Sequence, residues 1–119
     1  MSKLRYYTVM KLTEDNVYQC LKTVIDPELG QNIIELGLIY GVKVFGVAEA
    51  KSQGKKLKIT MTLTSPGCPL AGVIEGMIRE SLEMIDDFNP EQDLNLVLTF
   101  DPPWTPEMMS EQIRLELGL

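Results

Sequence analysis

Cys68 is the residue with the most pointed chemistry, set in the run Thr62-Leu63-Thr64-Ser65-Pro66-Gly67-Cys68-Pro69. The pattern predicts a strand before this run and a helix after it, with Cys68 as N-cap and Pro69 at the first helical position. A helix N-terminus presents unpaired N–H groups and a partial positive charge, and both favour a thiolate over a thiol. A thiolate held there binds iron or attacks an electrophile. Thr62, Thr64 and Ser65 add hydroxyls on the less apolar side of the strand. Spacing alone leaves a second reading open, in which Cys68 is a small residue packed in a tight turn and the threonines merely suit a strand.

Asp26 and Glu28 straddle Pro27 in a turn placed to approach the same end of the sheet. Their carboxylates suit iron or the holding of a loop. An aspartate that starts a turn by bonding its own backbone accounts for Asp26 equally well. Trp104 follows Asp101-Pro102-Pro103 and is either a partner anchor or a lid on the core. The other cysteine, Cys20, falls on the apolar stripe of a helix and reads as a small hydrophobe. Histidine is absent. That removes Ser-His-Asp and Cys-His nucleophiles, imidazole acid–base chemistry and His-ligated zinc.

The elements that must position these residues follow from hydrophobic period. Thr13 opens a helix in which Val17, Cys20, Leu21 and Val24 share a face, and Asp26-Pro27 ends it. Ile33 to Ile39 is a short apolar stretch. Ile39–Val47 and Leu57–Thr64 read as strands of a hairpin joined by a polar loop, and in the second Leu57, Ile59, Met61 and Leu63 share one face. Leu70, Val73, Ile74, Met77, Ile78, Leu82 and Ile85 keep helical spacing. Leu94, Leu96, Leu98 and Phe100 alternate as a third strand, expected parallel to the second through a right-handed crossover. Thr105 and Pro106 cap a last helix that Gly118 ends. The expected fold is one small α+β domain, helix-strand-strand-helix-strand-helix, with a mixed three- or four-stranded sheet packed by helices. A fourth strand would come from Leu4–Met10.

Length and charge bound the rest. With 119 residues the chain fits one domain able to bury a core without disulfides or a structural metal. Its net charge of -6 repels phosphate backbones and anionic lipid, so nucleic acid and membrane are not expected partners. No apolar run suits a signal peptide or membrane span, and two distant cysteines fit a reducing compartment, so a cytoplasmic location is expected.

The series Asp26-Pro27-Glu28-Leu29-Gly30, Glu35-Leu36-Gly37-Leu38-Ile39-Tyr40, Met61 through Pro69 and Asp101-Pro102-Pro103-Trp104 resembles the family of SufT- and PaaD-type proteins in order and spacing. The likeness covers residues 13–119 and leaves 1–12 as an N-terminal extension. The same module occurs at the front of ParA/Mrp-type carriers and in eukaryotic cytosolic cluster-targeting factors. The resemblance implies iron–sulfur cluster assembly or maturation, with Cys68 as the functional thiol, Thr64 and Ser65 as its hydroxyl pair, and Asp26 and Glu28 as the acidic turn. It implies scaffold or carrier proteins and client apoproteins as partners. It also implies at most a transient cluster or iron at Cys68, because a cluster takes about four ligands and one thiol cannot supply them. The leading reading is an adaptor that passes a cluster from scaffold to client. A homodimeric carrier of a labile cluster and a non-catalytic subunit of a larger complex are the alternatives. A cysteine enzyme has no support, since neither a histidine nor an evident lysine base neighbours Cys68.

Overall fold

The computed structural model describes residues 10–46, 54–67 and 69–119. Helix α1 (Glu14–Leu21) starts where the sequence places a cap. The Thr13 hydroxyl accepts the Asn16 N–H at 3.1 Å, and Glu14 and Asp15 sit against the positive end of the helix. Val17, Cys20 and Leu21 are buried. The helix stops at Lys22, short of Asp26-Pro27, and Val24 extends the buried row from a turn.

Three strands form the sheet: β1 (Ile39–Val44), β2 (Leu57–Met61) and β3 (Leu94–Leu98), in the order β1-β2-β3. β1 runs antiparallel to β2, and β2 parallel to β3, as the hydrophobic pattern predicts. A register shift between Ile39 and Gly41 marks a bulge. Leu57, Ile59 and Met61 are buried, while Lys58 and Thr60 take the other face. β2 ends three residues before the expected Thr64. Thr62 gives its N–H to the Leu38 carbonyl (2.8 Å), outside β1, and turns inward. β1 is likewise shorter than Ile39–Val47, with residues beyond 46 outside the described set. Of the fourth strand expected at Leu4–Met10, residues 4–9 are also outside it, and Met10 makes a single parallel bridge to Ile85.

The crossover from β2 to β3 carries helix α2 (Ala71–Ser81), continued by a 3-10 turn at Leu82–Met84. Ile74, Ile78, Leu82 and Ile85 are buried, whereas Val73 is half exposed, so the apolar stripe is narrower than the sequence suggests. The expected cap at Cys68 and first position at Pro69 are displaced. The cap is Leu70, which packs on the core and fixes where the first turn closes, its carbonyl accepting the Ile74 N–H at 2.9 Å.

The C-terminal segment corrects another expectation. Thr105 and Pro106 begin only a 3-10 turn, Pro106–Met108, and Met109 is extended. Ser110 donates its N–H to the Glu35 carbonyl (2.8 Å), which withdraws it from any helical bond to Pro106. Helix α3 (Glu111–Leu117) starts afresh, capped by the Ser110 hydroxyl and ended by Gly118 in the left-handed conformation, φ 76°. Met109 and Ile113 are buried and Leu117 packs against the same core, so these positions fill the interior although Met109 precedes the helix.

Candidate functional site

The connection from β2 to α2 carries the hydroxyls singled out above. Thr62 and Leu63 are buried, Thr64 is half-buried, and Ser65, Pro66, Gly67 and Pro69 are exposed. Cys68 lies outside the described residues. The chain thus leaves the core at Leu63 and reaches solvent by Ser65. Thr62 does not share the open side of the strand with Thr64. It is fully enclosed, and among the described residues its hydroxyl reaches only the Leu63 carbonyl, at 3.4 Å. Helix α2, next along the chain, receives no side-chain bond from its cap residue Leu70 and has no acid in its first turn.

Asp26 is buried and its carboxylate is committed. Oδ1 accepts the N–H groups of Glu28 (2.7 Å) and Leu29 (3.2 Å), and its backbone pairs with Gly30 and Gln31. This is an aspartate that starts a turn. Glu28 is exposed, and its carboxylate makes no hydrogen bond or ion pair among the described residues. No hydrogen bond joins this turn directly to Thr62–Ser65 among those residues. The link runs through the backbone: the Ile33 N–H reaches the Val24 carbonyl, the Leu38 N–H the Ile33 carbonyl, and the Thr62 N–H the Leu38 carbonyl.

A clasp that sequence reading missed holds that middle segment. Trp104 Nε1 donates to the Leu36 carbonyl (2.8 Å), and Tyr40 Oη donates to the Pro102 carbonyl (2.8 Å) with Met108 Sδ 3.4 Å away. Gly37, at φ 77°, passes so close to Met108 that a Cβ would overlap its carbonyl. Trp104 is half-buried on the core, so its N–H serves the fold. Glu35-Leu36-Gly37-Leu38-Ile39-Tyr40 and Asp101-Pro102-Pro103-Trp104 therefore meet. Only their unusual composition could have hinted at it.

Cys20 is 3% exposed, its thiol 3.5 Å from Met10 Sδ, and burial pushes its pKa up. A buried neutral thiol is a poor nucleophile and a poor metal ligand. Among the described residues no three Cys, Asp or Glu side chains converge on a metal position. No described helix is long and apolar enough to cross a membrane.

Comparison with known proteins places this geometry. The chain is 39% identical over 106 residues to an Fe-S protein maturation auxiliary factor of Porphyromonas gingivalis, covering 89% of this chain and 91% of that protein. It is 38% identical over 96 residues to the maturation auxiliary factor SufT of Staphylococcus aureus, covering 81% and 98%. A crystal structure of a domain of unknown function from Bacillus anthracis superposes with a TM-score of 0.72 at 34% identity, over 89% of this chain and 92% of that one. The family model described as iron-sulfur cluster assembly protein matches residues 14–92, from the start of α1 nearly to β3, and the chain belongs to that family.

Proposed function

We propose that this chain is a cytosolic maturation factor that helps an iron–sulfur cluster pass from a scaffold or carrier protein to client apoproteins, with Cys68 as a transient ligand. The observation that carries the reading is its near full-length similarity to proteins named maturation auxiliary factors. The cluster is cargo. A cluster takes about four ligands, usually thiolates, and Cys20 is enclosed by the core. Cys68 supplies one ligand while donor and acceptor proteins supply the others. Half-buried Thr64 and exposed Ser65 offer hydroxyls in the loop that leads to Cys68. Thr62 anchors the loop to Leu38, Asp26 holds the turn behind it, and Glu28 stays free for a partner. The exposed part of Trp104 belongs to the partner surface, while its N–H secures the clasp. No step requires this chain to be an enzyme.

Deleting the gene tests this. Activity of iron–sulfur enzymes should fall while their polypeptide levels hold, and be restored by the native chain but not by Cys68→Ser. Normal client activity in the deletion strain rejects the role, and full rescue by Cys68→Ser rejects the thiol.

A further inference from the structure

The two faces of the sheet are unequal. Val42, Val44, Leu57, Ile59, Leu94 and Leu96 all join the hydrophobic core. Strand register puts the alternate residues in rows on the opposite face, with Lys43 beside Lys58 beside Asn95, and Gly41 beside Thr60 beside Val97. The Phe45 N–H bonds the Lys56 carbonyl at 2.9 Å, which adds those two residues to the same face. Phe45 and Val97 are half-buried, yet neither packs against the core.

Lys43 and Lys58 stand directly opposite one another, and like charges at such a cross-strand position oppose sheet formation. Neither forms an ion pair or a hydrogen bond through its ammonium among the described residues. The Lys43 ammonium lies 6.0 Å from the centre of the Phe45 ring. One row away, Lys56 is neutralised between Asp87 and Asp93 at 3.9 and 3.8 Å. The chain as a whole carries six excess negative charges, so acids to pair with are plentiful, yet among the described residues none pairs with either lysine.

We infer that this face docks the acidic surface of a protein partner, Lys43 and Lys58 meeting carboxylates while Phe45 and Val97 give apolar contact. Complementary charge sets orientation and association rate, and aromatic and aliphatic neighbours exclude water around it. A pair of lysines without arginine is a sparse phosphate site, and the flanking Phe45 and Val97 suit the mixed polar and apolar surface of a protein better than a phosphate backbone. The docking face involves neither Cys68 nor its loop, so it stands or falls apart from the thiol.

The test uses the isotope-labelled full chain titrated with a glutamate-rich peptide carrying one phenylalanine. Amide shifts should centre on Lys43, Phe45, Lys58, Thr60 and Val97. Affinity should drop several-fold in Lys43→Gln/Lys58→Gln and hold in Lys11→Gln/Lys22→Gln, which alters lysines elsewhere. Without peptide, Lys43→Gln alone should raise the urea midpoint by relieving the like-charge pair. Absent binding, shifts elsewhere, equal loss in both double variants, or an unraised midpoint overturns the inference. So does stronger binding at this face by duplex DNA or phosphatidylserine vesicles.

Discussion

Helix α1 begins at Thr13, whose hydroxyl takes up a first-turn N–H and which two acids follow. Helix α2 begins at Leu70, which has no side-chain bond to offer and no acid after it. The capped helix meets its own needs, and the cysteine it carries, Cys20, is packed away. Helix α2 receives no side-chain bond from its Leu70 cap, and the loop before it contains the other cysteine. Cys20 thus falls in an environment that suppresses thiolate chemistry. The two helix starts differ in both the capping hydroxyl and the first-turn acids.

The largest effect expected from this contrast concerns the thiols themselves. Cys20→Ser places a hydroxyl in an apolar site and should cost about 1–3 kcal/mol, read from the urea midpoint, while Cys68→Ser should stay within about 0.5 kcal/mol of the native chain. The reverse ranking would break the comparison. A smaller effect tests the open end of α2. Gly72 is exposed with nothing within 4 Å of a Cβ placed there. Gly72→Glu should therefore be more stable than Gly72→Gln by about 0.3–1 kcal/mol, since the added charge meets the helix dipole. The same charge should slow Cys68 alkylation. Equal stabilities would mean that the end of α2 has no field to offer.

The smallest effect is a pH dependence. Burial holds the Cys20 pKa above its ordinary value. As pH climbs past about 8.5, the unfolded chain therefore loses this proton first. It then binds fewer protons than the native state, and stability falls until the raised folded pKa is passed. Below about pH 8.5 the contribution is fully present. Cys20→Ala should lack that part of the decline, which denaturant melts across pH 7.5–10 would detect by comparing slopes. Parallel slopes would contradict the buried thiol.

Much of this architecture was legible because it rests on local pattern. The 3.6-residue period and hydroxyl cap of α1, the alternation along β2 and β3, and the parallel pairing forced by a helical crossover are all written over short stretches. The misplaced boundaries have a common cause in contacts between distant segments. Thr62 leaves the strand because Leu38 takes its N–H, and the last helix waits for Ser110 because Glu35 takes that one. Ser110 and Thr105 are both good caps by type, so local sequence could not choose between them. The clasp of Trp104 on Leu36 and Tyr40 on Pro102 spans more than sixty residues in each bond and has no periodic signature. At the site, Asp26 offered two meanings by type, and its bonds to Glu28 and Leu29 select the turn.

The most direct test of the central claim is pH-dependent alkylation of the intact native chain, each thiol followed by peptide mass, with and without anaerobic ferrous iron and sulfide. The account predicts that Cys68 reacts first, that iron and sulfide protect it, and that Cys20 reacts only on unfolding. Two inert thiols, faster labelling of Cys20, or a Cys68 that iron leaves unprotected would contradict it.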